Sequence, residues 1–194
     1  MPDIDIRPAA TQLARVLEGV PDDALDGRTP CEGMTLGQLI GHVDGFAQVF
    51  TLTARKDLGE MTATPPAPDD ADLGAGWQQR AAVHLADLGE AWQADDAWDG
   101  MTQAGGVDLP GAVAGRVALD ELVVHGWDVA KATGQPFQPD DDHLREIEAT
   151  VRQLRGDNLG EVPGLFGPAV DVPDDAPMLD RVLGLTGRDP SWSP

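Results

Sequence analysis

The sequence predicts an all-α protein, and three observations carry that expectation. Four long stretches repeat apolar residues at helical spacing. One of them, from Pro110 to about Thr133, is apolar almost all round, the pattern of a helix at the centre of a bundle. No internal repeat, clear linker or second core interrupts the 194 residues, so one domain over 1–194 is expected.

Each element has its own signals. Helix one is expected from Pro8 to Gly19, with Leu13, Val16, Leu17 and Val20 as its stripe and Pro8 suited to a first turn. Pro21-Asp22-Asp23 ends it. Helix two begins at Thr35, where Thr35 and Gln38 have the spacing of a capping box. Leu36, Leu39, Ile40, Val43, Phe46, Ala47 and Phe50 form its apolar face, and His42 lies on that side.

Met61 to Asp72 reads as a Pro- and Asp-rich loop. Helix three follows over about Gly74–Ala94, marked by Trp77, Ala81, His84, Leu85, Leu88 and Trp92. Ala97–Leu109 is Gly-rich, with room for an extended segment near Gly106-Val107-Asp108. Helix four takes Pro110–Thr133, closed by Gly134 as a C-terminal cap. A more exposed helix over Gln138–Leu154, a Gly/Pro loop and a short last helix, Met178–Leu185, complete the chain.

Composition excludes several function classes. With 34 acidic and 13 basic residues the net charge is −21, which repels nucleic acid and anionic membranes. No run approaches the apolar length of a membrane span. The start, Met1-Pro2-Asp3-Ile4-Asp5-Ile6, lacks the regions of a signal peptide, so a cytoplasmic location is expected. One cysteine, Cys31, allows no internal disulfide and suits a reducing compartment. With no Tyr in the chain, that general acid is excluded everywhere.

The chemistry concentrates in Leu119-Asp120-Glu121-Leu122-Val123-Val124-His125-Gly126-Trp127-Asp128. Glu121 and His125 stand at i and i+4, on one helix face and roughly 6 Å apart. His42 on helix two supplies a third ligand-type side chain facing inward. Three N/O ligands from two facing helices make an open metal site in a bundle, leaving positions for water or substrate. The plainer alternatives are a buried Glu121–His125 ion pair and a hydrogen-bonded core His42.

Other side chains have readings too. Asp128 is placed to orient His125, or to cap a turn or pair with an Arg. Trp127 belongs to the core or a pocket wall. Cys31 reads as a small residue packing the turn before helix two rather than as a nucleophile. His84 is a reserve ligand, and His143, inside Asp140-Asp141-Asp142-His143, is expected to be solvated. Arg188 could meet a substrate carboxylate, in a tail anchored by Trp192.

Three motifs, in order, carry a resemblance to a family. Thr29-Pro30-Cys31-Glu32-Gly33-Met34-Thr35-Leu36 with Leu39-Ile40-x-His42-Val43 is similar to the N-terminal signature of the DinB-like superfamily. The nearest branch is the metal-binding domain of mycothiol-dependent maleylpyruvate isomerases, although that signature has Trp where this chain has Met34. Glu121-Leu122-Val123-Val124-His125-Gly126-Trp127-Asp128-Val129-Ala130-x-Ala132-Thr133-Gly134 resembles the second signature of the branch. Leu183-x-x-x-Gly187-Arg188-Asp189-Pro190 resembles its actinobacterial members.

The resemblance implies an up-and-down four-helix bundle with a short extra C-terminal helix. It also implies a divalent metal held by His42, Glu121 and His125, with zinc first and nickel, iron or manganese as alternatives. The implied partners are a low-molecular-weight thiol, such as mycothiol, and a small electrophile, with a homodimer as the implied assembly. The reaction would be thiol transfer or thiol-assisted isomerisation. The isomerases carry a separate C-terminal domain that supplies substrate-binding residues, so maleylpyruvate itself is not the expected substrate. The alternative is a non-catalytic, metal-stabilised bundle serving a regulatory or protein-interaction role.

Overall fold

The structure, a computed structural model, describes residues 4–64 and 73–194. It is mostly helical. Eight α-helices and one two-stranded hairpin occur among the described residues, so the all-α expectation is corrected by one small sheet.

Helix α1 spans Arg7–Glu18, starts with Pro in its first turn and buries Ala9, Ala10, Leu13, Val16 and Leu17. A single 3-10 turn at Asp22–Ala24 follows. Helix α2, Leu36–Arg55, carries the expected capping box: the Thr35 side chain accepts from Gln38 N, and the Gln38 side chain accepts from Thr35 N at 3.0 Å. Both bonds satisfy first-turn N–H groups that have no partner inside the helix. Short helix α3, Glu60–Ala63, occupies the start of the segment expected to be a loop, and residues 65–72 of that loop lie outside the described residues. Helix α4 is Trp77–Ala91, and α5 is the single turn Asp95–Trp98.

The Gly-rich stretch resolves into strands β1, Met101–Ala104, and β2, Val107–Pro110, paired antiparallel with Ala104 opposite Val107. Gly105 and Gly106 make the two-residue turn with φ of 57° and 80°. Positive φ at both central residues matches the twist of the strands and favours glycine there.

Helix α6, Gly111–Thr133, ends on Gly134 in the left-handed conformation. It is buried on every side between Ala118 and Ala130, apart from the half-buried Glu121. Helices α7, Asp141–Arg155, and α8, Met178–Leu185, complete the set. Each of α1, α2, α4 and α6 packs against two others of the four, while α7 bridges α6 and α8. The buried apolar side chains of these elements join in one continuous cluster.

Two polar side chains fix the periphery. Arg155 donates to the carbonyls of Leu185, Asn158, Gly160 and Gly167, which ties the irregular 156–170 segment to α7 and α8. His143, expected to be solvated, is instead buried, and its Nε2 meets the Asp5 carbonyl at 2.8 Å. The acidic residues beside it face water, but the incoming chain before α1 covers the His143 face of α7. No described helix is long and apolar enough to cross a membrane.

Candidate metal centre

Helices α2 and α6 bring together the three side chains singled out in the sequence. His42 Nε2 lies 3.3 Å from Glu121 Oε2, and His125 Nε2 lies 3.1 Å from the same oxygen. The imidazole rings stand edge to face, with centroids 5.0 Å apart and an interplanar angle of 83°. Phe46, one turn after His42 on α2, lies against both: edge-on to His42 at 5.7 Å and stacked on His125 at 6.2 Å. The three side chains are 15%, 23% and 9% exposed for His42, Glu121 and His125. Glu121 is thus the most exposed of the three, and Phe46 supplies an apolar ring against both imidazoles.

His125 is held from its other nitrogen. Its Nδ1 meets Asp128 Oδ2 at 3.0 Å, and Asp128 is fully buried. A carboxylate at Nδ1 fixes the ring orientation and leaves Nε2 to face the centre. Asp128 is thus placed as the orienting acceptor, and Trp127 is buried with Lys131 Nζ 5.7 Å from its ring centroid.

The ionisation of this cluster follows from its burial and pairing. Burial opposes the charge on Glu121, but hydrogen bonds from His125 and His42 outweigh it and hold the carboxyl well below its usual range. Burial likewise opposes charging His125, yet Asp128 and Glu121 together push its pKa up to about 9. Without a cation, then, a proton on each side of the His125 ring occupies the space between two carboxylates. Asp120, beside Glu121, is pushed up to about 7 by burial and by the Glu121 charge, and its Oδ1 has no hydrogen-bond partner among the described residues.

The donor set fits a divalent cation. His42, Glu121 and His125 each offer one ligand atom, and these atoms lie within 4.8 Å of one another. Ligands at about 2.0–2.2 Å in a tetrahedral arrangement stand about 3.4 Å apart. The Nε2–Oε2 separations of 3.3 and 3.1 Å are close to that edge. His42 Nδ1 is buried without a hydrogen-bond partner among the described residues, so no second group competes for that ring.

The remaining candidates go elsewhere. His84 Nδ1 pairs with Asp44 Oδ1 at 2.7 Å between α4 and α2, so it is engaged outside the trio. Cys31, His125 and Asp128 form a second ligand-type group. There the cation is Arg188, whose Nη2 lies 3.2 Å from Asp128 Oδ2 and 3.6 Å from Cys31 Sγ. Burial nevertheless dominates at the thiol and pushes its pKa up to about 11, so Cys31 stays neutral. Arg188 arrives from 157 residues away, so nothing in the sequence around Cys31 announces this basic neighbour. Arg188 is turned into the protein on Asp128, not outward toward a ligand. A cavity of about 580 Å³, lined by Arg28, Glu32, Met34, Asp189 and Trp192 among others, lies along the tail and is not lined by His42, Glu121 or His125.

Comparisons with known proteins bear on the fold and the family. Two uncharacterised Mycobacterium tuberculosis proteins, from strains CDC 1551 and H37Rv, are each 28% identical over 183 residues, 93% of both chains. The crystal structure of mycothiol-dependent maleylpyruvate isomerase superposes with a TM-score of 0.60 at 19% identity. A point mutant of that enzyme gives 0.63 at 20%. Both cover 80% of this chain and 70% of the other, and at that identity they show a shared fold. Residues 6–130, well over half of the sequence, match the mycothiol maleylpyruvate isomerase N-terminal domain family, and the chain belongs to that family.

Proposed function

We propose that this protein is a divalent-metal-dependent enzyme that presents a low-molecular-weight thiol of the mycothiol type to a small electrophile. The reaction would be thiol transfer or thiol-assisted isomerisation. The observation that carries the reading is the meeting of His42 Nε2 and His125 Nε2 at one oxygen of Glu121. Family membership supports the thiol as partner. Two imidazoles and one carboxylate accept zinc, nickel, iron or manganese alike, and zinc is taken first because the family resemblance implies it. We read α1, α2, α4 and α6 as an up-and-down four-helix bundle, with α8 the short addition, in a single cytoplasmic domain over 1–194.

When bound, a divalent cation supplies Lewis-acid stabilisation of a thiolate near neutral pH. The chain's own residues do the rest. Glu121 contributes negative charge and one oxygen. Asp128 holds the His125 ring so that Nε2 points to the centre. Phe46 keeps water from the rear of both imidazoles, which strengthens every charge interaction in front of it. The exposed edge of Glu121 leaves one side for the thiol and the electrophile to approach.

The test starts from protein purified without added metal and titrated with Zn²⁺. One equivalent should bind, and His42→Ala should abolish it. In the Co²⁺-loaded protein, added thiol should change the visible absorption. Absence of stoichiometric binding would end the reading.

One observation favours a second reading, a metal-stabilised bundle without catalysis. The 580 Å³ cavity lies along the tail instead of over the trio, as a partner-binding cleft would. That reading expects a bound metal whose Co²⁺ spectrum does not respond to thiol.

A further inference from the structure

Arg188 lies outside the segment that matches the family, in the turn after α8. Its backbone N–H donates to the Leu183 carbonyl at 2.8 Å, and its Nη1 donates to the Thr186 carbonyl at 2.8 Å. Thr186 is itself buried, with its hydroxyl donating to the Val182 and Leu183 carbonyls. The guanidinium therefore springs from a rigid helix end. Its Nη2 reaches Asp128 Oδ2 at 3.2 Å and Cys31 Sγ at 3.6 Å, and the side chain is only 13% exposed.

Asp128 Oδ2 is shared. The same oxygen accepts from Arg188 and meets His125 Nδ1. With no exposed surface, that carboxylate depends on its partners for both charge balance and direction. The planar fork of arginine fixes a carboxylate in orientation as well as in charge, which a point charge on a flexible stem does not. Its other contacts, Cys31 and the Thr186 carbonyl, prevent the fork from swinging away.

We propose that Arg188 is a positioning residue of the metal centre: the C-terminal tail, through Arg188, pins Asp128 and thereby keeps His125 Nε2 aimed at Glu121. The helices of the family segment bring the ligands together, and a residue beyond that segment sets the angle of one of them. This inference rests on the metal-centre reading above.

The test is Co²⁺ binding and visible absorption of the full chain in four forms beside wild type: Arg188→Met, Arg188→Lys, Asp128→Asn and the double variant Arg188→Met/Asp128→Asn. Arg188→Met should weaken Co²⁺ about tenfold to a hundredfold and alter the absorption bands, the effect expected when an outer partner of a ligand is lost. Arg188→Lys should recover part of the affinity. The double variant should lose no more than the worse single one, because both act through one contact.

Identical affinity and superimposable spectra for wild type and Arg188→Met would overturn the inference. So would losses that multiply in the double variant. If Arg188→Met does not fold, the same cycle built on Arg188→Lys decides by the same criterion. A wild-type protein that binds no Co²⁺ would overturn the metal-centre reading instead, and that result precedes any variant.

Discussion

Glu121→Gln separates a metal centre from a buried ion pair, because the two predict different dependences on metal. The substitution keeps the shape of the side chain and removes its charge. In chelator, wild-type Glu121 Oε2 accepts from two imidazoles at 3.3 and 3.1 Å. Charge-assisted bonds are roughly twice as strong as neutral ones, so their weakening costs about 2 kcal/mol. For a chain of this length that lowers Tm by about 4–8 °C. With Zn²⁺ at a thousandfold its Kd, wild type gains about 4.1 kcal/mol. A hundredfold weaker site, the upper end for an outer partner and a floor for a direct ligand, would gain only about 1.4 kcal/mol. The gap between variant and wild type then widens by about 2.7 kcal/mol, or about 5–11 °C more. Differential scanning calorimetry with EDTA and with Zn²⁺ measures both gaps. Equal gaps in the two conditions would refute the assignment of Glu121 as a ligand.

Three further outcomes follow from the structure. His125 is protonated at pH 7 in the metal-free protein, its pKa pushed up to about 9 against the cost of burial by Asp128 and Glu121. Metal binding should therefore release about one proton per cation, seen in weakly buffered titrations, and affinity should rise about tenfold per pH unit up to pH 9 and then level off. On Gly115 a Cβ would meet the Trp98 ring at 2.6 Å and the Trp92 ring at 2.8 Å, so Gly115→Ala should destabilise by about 1–3 kcal/mol in urea titration. Glu148 ties α7 to α8 through Arg181 at 3.0 Å, and its carboxyl is held below the usual 4.5, chiefly by Arg181, against burial. A depressed folded pKa stabilises above the unfolded value and is lost as pH falls through the folded one. The Tm deficit of Glu148→Gln should thus be full above about pH 5 and shrink on acidification below 4.5, measured by thermal melts across that range.

What was legible in the sequence was local. The Thr35/Gln38 capping box, the left-handed Gly134 and the Glu121/His125 spacing each depend on residues within one turn, and each occurs where expected. The hairpin is legible only in part: the Gly-rich stretch Ala97–Leu109 leaves room for an extended segment near Gly106, but its composition does not show that Gly105-Gly106 is the turn between two short strands. His143 is expected in solvent and is buried instead, since the acidic residues around it say nothing of Asp5, whose carbonyl arrives from 138 residues away. The Cys31–Arg188–Asp128 cluster was invisible for the same reason: its members are 157 and 60 residues apart, and no periodicity links them. Periodicity tells which face of a helix is buried. It does not tell which distant side chain covers that face.

The central claim is that His42, Glu121 and His125 share one cation. The most direct measurement is a crystal structure of the Zn²⁺-loaded protein with anomalous data at the zinc edge. A single strong peak is expected at about 2.0–2.2 Å from His42 Nε2, a Glu121 oxygen and His125 Nε2, with one coordination position open toward the exposed edge of Glu121. No peak there, with His125 still bridging Glu121 and Asp128 by hydrogen bonds, would contradict the claim.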